Sequence, residues 1–299
     1  MRRPFIVFTL LAVSLVIATG MASAQDVPPG DPVNGGKLYD NWFNALDALP
    51  PEGDHPLWQD QTENPRTGAI TWRCKECHGW DYKGADGAFA LGSEHYTGFP
   101  GVISSVSMDT DEIRAWLDGR NNPNHDFSPY INEPAINDLI VFLRTRLVDT
   151  DLLVDPQLRV ALGNSDLGFD RYEENCAYCH GDDGSQLNFA SAATPLFLGD
   201  TALTDPWQVI HKIRFSHPAT DIPAAEVLGW TLQDVADLVA YTQTMPPANQ
   251  ESLAVAERTP VALPVESQGD IGPITMATLS ILALLFLSLG WSAIVNRSS

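Results

Sequence analysis

Two five-residue stretches constrain this chain more than anything else in it: Cys74-Lys75-Glu76-Cys77-His78 and Cys176-Ala177-Tyr178-Cys179-His180. They hold all 4 cysteines of the 299 residues, too few for a disulfide-stapled scaffold, so the pairs read as sites for a carried group. The surrounding sequence repeats with them. Gly168 to Tyr172 matches Gly35 to Tyr39, and "DVADLVAYTQT" at 234–244 matches "AINDLIVFLRT" at 135–145, with Asp237 on Asp138 and Tyr241 on Phe142. A middle helix at 109–119 pairs with one at 204–216. The cysteine pairs lie 102 positions apart and the closing helices 99, which predicts two similar units over 25–153 and 154–248. The first unit carries about 31 extra residues, including Pro50-Pro51, read as a loop inserted ahead of its cysteines. Helical periodicity without strand alternation predicts an all-α fold.

The motif C-x-x-C-H has a specific chemical use. Two thiols three residues apart on a helical turn reach the two vinyl groups on one edge of a porphyrin, and the next residue swings its imidazole beneath the iron. A thioredoxin-like dithiol and a four-cysteine zinc site are the rival readings, and neither accounts for a histidine after both pairs. The cofactor expected is therefore two covalently bound haem c groups, on Cys74 and Cys77 with His78, and on Cys176 and Cys179 with His180.

Both ends suggest an address. Met1-Arg2-Arg3, an uncharged run to Met21 and then Ala22-Ser23-Ala24 predict a signal peptide over 1–24, with an uncleaved anchor as the alternative. Ile274 to Val295 is long and apolar enough to span a bilayer, so a C-terminal transmembrane helix is expected within 272–295, with a buried core helix as the alternative. A Pro/Ala/Glu-rich linker over 249–271 precedes it. This places the haem domains on the periplasmic side of the cytoplasmic membrane. Without Arg2, Arg3 and Arg297, 14 basic side chains face 38 acidic ones, a charge of −24 for residues 25–271. Such a surface excludes nucleic acid and favours redox partners with a basic docking face.

These features resemble a dihaem member of the class I cytochrome c family across about 25–248. The resemblance implies that His78 and His180 are the proximal ligands, and that the carbonyls of Pro100 and Pro195 accept their second N–H. Gly35, Tyr39, Gly168, Tyr172, Phe142 and Tyr241 match helix-packing positions. The family draws its distal ligand from the loop before the closing helix, where the first unit has His125; Met108 is the alternative. In the second unit Ile222 stands where a methionine is expected, leaving His217, Met245 or an open iron. His211 is read as solvent-facing, Arg73 and Arg214 as possible propionate partners, and Trp72, Trp80 and Tyr82 as haem-edge or core aromatics. Asp109, Asp111 and Asp205 are read as helix caps.

Two functions follow. One is a membrane-anchored dihaem cytochrome passing single electrons between a respiratory donor and a terminal acceptor, alone or as a subunit of a larger respiratory complex. The other is a peroxidase-like dihaem oxidoreductase with an open second haem. The missing acid–base group beside Ile222 favours the carrier over the catalyst.

Overall fold

The computed structural model describes residues 27–248. The first half contains α1 (Pro32–Ala45), α2 (Cys74–His78), α3 (Thr110–Leu117) and α4 (Glu133–Thr145). The second contains α5 (Ser165–Asn175), α6 (Ala177–His180), α7 (Leu198–Thr204), α8 (Pro206–Phe215), α9 (Ala225–Leu228) and α10 (Leu232–Thr242). Short polar side chains start the longer helices by accepting backbone N–H groups that have no partner inside the helix. Asp31 caps α1, Asp109 caps α3, Asn132 caps α4, Asn164 caps α5, Asp205 caps α8, and Thr231 with Asp234 forms a reciprocal capping box on α10.

The repeat is repeated in space. α1 crosses α4 where Gly35 lies against the Asp138 backbone and the Phe142 side chain. α5 crosses α10 where Gly168 lies against Asp237 and Tyr241. A side chain at either glycine would force the helices apart. Each crossing is latched by the same carboxylate: Asp138 accepts the Asp31 N–H at 2.6 Å, and Asp237 accepts the Asn164 N–H at 2.7 Å. Around these crossings, Leu38, Tyr39, Trp42, Leu139, Ile140 and Phe142 form one core, while Ile210, Val235, Ala236 and Val239 belong to another. Burying each large apolar side chain contributes about 1.5–3 kcal/mol.

The halves are not beads on a string. Trp80 and Phe89 of the first half belong to the second core, and Phe215 of the second half belongs to the first, its ring seated on Gly36. Between them His211 is fully buried, its Nε2–H donating to the Gly36 carbonyl at 2.9 Å and its Nδ1 accepting from the Tyr82 hydroxyl at 2.9 Å. Asp40, also fully buried, takes Lys212 at 2.7 Å and the Arg73 guanidinium. Arg214 reaches Glu226 at 2.6 Å and the Arg146 carbonyl at 2.9 Å. The solvent-facing reading of His211 is therefore wrong: the helix turns it toward the other half, where both ring nitrogens find partners. Helical periodicity gives the face of a residue but not what that face meets.

The expected fold class needs correcting. The described chain is helical but not purely so, because Val154–Asp155 pairs antiparallel with Val160–Ala161 in a two-stranded sheet. No helix among the described residues is long and apolar enough to cross a membrane, so the all-α fold with a C-terminal transmembrane helix is not supported. The segments read as signal peptide (1–24), linker (249–271) and anchor (272–295) lie outside the described residues.

Candidate cofactor sites

Each cysteine pair is held against the first helix of its half by one hydrogen bond. The Tyr39 hydroxyl donates to the Gly79 carbonyl at 2.6 Å, and the Tyr172 hydroxyl donates to the Gly181 carbonyl at 2.5 Å. Gly79 and Gly181 follow the motif histidines with φ of 75° and 78°, a conformation glycine adopts without penalty. The chain can thus leave the attachment turn immediately while the tyrosine fixes its direction.

In the first half, Cys74, Cys77 and His78 open onto an apolar cleft closed by Phe99, Phe127 and Trp72. Burial pushes the Cys74 thiol up to about 12 and raises Cys77 as well. That is the opposite of a dithiol poised for exchange, which needs a depressed thiolate pKa. His78 and His125 face each other across the cleft with ring centres 6.2 Å apart. Their tautomers follow from backbone groups whose polarity is fixed. The Pro100 carbonyl, 2.7 Å from His78 Nδ1, and the Trp116 carbonyl, 2.8 Å from His125 Nδ1, can only accept. Both Nδ1 atoms therefore carry the proton, and both Nε2 atoms present a lone pair. Burial lowers the His78 pKa to about 4 and also lowers that of His125, so both rings are neutral.

This arrangement fits a haem. Two metal–nitrogen bonds of about 2 Å, plus roughly 1 Å from each nitrogen to its ring centre, place opposed imidazoles about 6 Å apart. Among the described residues no three His, Cys, Asp or Glu side chains converge on a metal position of their own. Two protein ligands suit an iron whose other four positions belong to a porphyrin. Met108 packs against the first core and does not line the cleft.

The inserted segment, read as a loop, forms a wall of this site. It places His55 in the cleft, 4.7 Å from Trp72, 5.4 Å from Phe127 and 5.8 Å from His125 between ring centres. The sequence signal for this wall is the insertion directly ahead of the cysteines.

The second site is built differently. Burial raises the Cys176 thiol to about 11. His180 lies 5.9 Å from Phe189 between ring centres, and its Nδ1 has no partner, so the bond expected from Pro195 is not made. His217 donates from Nδ1 to the Pro218 carbonyl at 2.8 Å. Met245 is buried with Tyr172 and Leu238, its sulfur against Gly184. No hydrogen bond or ring contact joins His180 to either His217 or Met245 among the described residues. Ile222 is 40% exposed. The structure thus brings His125 to His78, and it packs Met245 in the cluster that Cys176 joins beside the second attachment turn.

Other readings resolve simply. Arg73 lines the first cleft while its guanidinium also holds Asp40, and Arg214 pairs with Glu226 and reaches the Arg146 carbonyl at the junction between the halves. Trp72 lines the cleft, its Nε1–H held by the Gly53 carbonyl at 3.1 Å, while Trp80 and Tyr82 pack around His211.

No curated protein and no solved structure matches the chain. Residues 163–242 match the family model described as cytochrome C oxidase, cbb3-type, subunit III. That span runs from before α5 to the end of α10 and includes the second cysteine pair, so the match supports a cytochrome c domain in the second half, with the covalent haem c and electron transfer that such a domain implies.

Proposed function

We propose that the chain is a dihaem c-type cytochrome that passes single electrons between a respiratory donor and a terminal acceptor on the extracytoplasmic side of the cytoplasmic membrane. The observation that carries this reading is the opposed pair His78 and His125. With His78 and His125 both holding a bound haem, the first site would be closed to substrates, and electron transfer would be the chemistry left to it. A bound haem supplies a one-electron iron couple. The chain holds it by Cys74 and Cys77, fixes the two imidazoles through Pro100 and Trp116, and keeps water from one face with Trp72, Phe99 and Phe127. The matching Tyr172–Gly181 latch supports a second haem on Cys176 and Cys179. Intact-mass analysis of the exported protein is expected to show two haem additions; fewer than two overturns the dihaem reading.

A second reading, a peroxidase-like dihaem oxidoreductase, is favoured by one observation: no ring contact joins His217 to His180 as one joins His125 to His78. An open second iron would bind small ligands.

The charge of −24 on residues 25–271 supports a partner with a basic docking face. Electron transfer to a basic soluble redox protein is expected to be fastest at low salt. It should slow several-fold by ~0.15 M ionic strength, where the screening length is ~8 Å. A rate independent of salt means that the acidic surface does not steer docking.

A further inference from the structure

Three histidines converge on the first cleft, and the backbone sorts them. His78 and His125 each face a carbonyl through Nδ1, which leaves Nε2 free to ligate. His55 is the reverse. Its Nδ1 lies 3.2 Å from the Leu57 N–H, at the start of the 3-10 turn Pro56–Asp60, and a backbone N–H can only donate. His55 Nδ1 must therefore carry the lone pair, and a neutral ring then has its proton on Nε2. An N–H cannot coordinate iron, so proximity to His125 does not make His55 a third ligand.

That Nε2–H is buried and has no partner. The His55 residue is 5% exposed and held by stacking on Phe127, by the edge of Trp72, and by its own backbone N–H donating to the Thr71 hydroxyl at 2.9 Å. An unpaired buried donor costs roughly 1–3 kcal/mol, so a position this well fixed calls for an acceptor. The neighbouring donors are engaged at least in part. Trp72 Nε1–H goes to Gly53, the Thr71 hydroxyl to Gly68 at 2.7 Å, and the Arg73 guanidinium to Asp40. The other walls are apolar, whereas a haem brings two carboxylates.

We propose that His55 is a positioning residue that donates its Nε2–H to a propionate carboxylate of the first haem. The inserted segment thus supplies a propionate hydrogen bond from ahead of the attachment turn. The proposal rests on haem attachment at Cys74 and Cys77. Removing the donor leaves more negative charge near the iron and favours its oxidised form, so the reduction potential falls.

Two substitutions separate this role from the turn cap. His55→Asn keeps an acceptor near Leu57 but cannot reach the propionate; His55→Gln keeps an amide donor at the reach of Nε2 but loses the cap. In the full-length, haem-loaded protein, His55→Asn is expected to lower the first haem's potential by about 59 mV, a tenfold change in a one-electron equilibrium. It should also shift the propionate bending band in the resonance Raman spectrum. His55→Gln should remain near wild type in both, and both variants should stay low-spin. The proposal is overturned if His55→Asn moves neither readout, if His55→Gln moves them more than His55→Asn, or if either variant turns high-spin, which would make His55 a ligand. Mass analysis of wild type separates these outcomes from failure of the haem reading, which would appear as a missing addition on the peptide containing Cys74 and Cys77.

Discussion

His125→Ala is expected to raise the carbon monoxide bound per reduced chain by one equivalent and to give a high-spin signal from the first haem. The reason is geometric: His125 is the imidazole brought opposite His78 at 6.2 Å with Nε2 free, and alanine supplies no replacement. His55 sits close by, but its lone pair is engaged by Leu57 and it cannot take over without breaking that bond. Optical and magnetic-resonance spectra before and after carbon monoxide addition provide the measurement. An unchanged stoichiometry would mean that His125 is not a ligand. His217→Ala and Met245→Ala make the comparison, and both are expected to leave the first haem's spectrum unaltered. A new high-spin haem in His217→Ala would place that residue on the second iron and remove the support for the peroxidase-like reading.

The second large effect concerns acid. His211 is buried between the halves, and burial lowers its pKa from 6.5 to about 3, despite Asp40 nearby; Lys212 and Arg214 lower it further. Tyr39, Tyr82 and Trp80 complete its surroundings. Between pH 6.5 and about 3 the unfolded chain binds a proton that the folded protein refuses, so stability falls as pH falls through that window. The loss across it is on the order of 4 kcal/mol. Asp40 acts in the same direction lower down. Burial raises its pKa, but Lys212 and Arg73 overcome this and hold it at about 2, so its contribution is present above 3.8 and lost toward pH 2. Urea unfolding of the haem-loaded protein at pH 7 and pH 4 is expected to show this decline. His211→Gln, which cannot take up the proton, should be less stable at pH 7 yet vary less with pH. An equal pH dependence in variant and wild type would assign the acid sensitivity elsewhere.

The junction around His211 also bears on how two cytochrome units work together. Asp40 lies on the helix whose Tyr39 latches the first attachment turn, and its partner Lys212 lies on the middle helix of the second half. A change that loosens the junction therefore acts directly on the element that holds the first cysteine pair. Trp80, two residues after His78, packs against His211. The first attachment segment and the second core are one continuous packed body.

Much of this was legible because it is local or repeated. The cysteine spacing allows one porphyrin edge to be reached from one helical turn, and the paired Gly-to-Tyr and Asp-to-aromatic patterns already contain the helix crossings, since only glycine lets those backbones approach. His125 could be placed because it sits in the loop leading to α4. What tertiary structure alone decided depends on chain segments far apart meeting. The insertion folded back to put His55 beside residues 70 positions away, α8 turned His211 inward, and Lys212 was drawn to Asp40 across the junction. In the second half His217 turned to the Pro218 carbonyl and Met245 packed with Tyr172 and Leu238. Spacing along a chain gives the face and reach of a side chain; which backbone donor or acceptor meets it, and hence whether an imidazole ligates, donates or stays buried, is settled when distant segments pack.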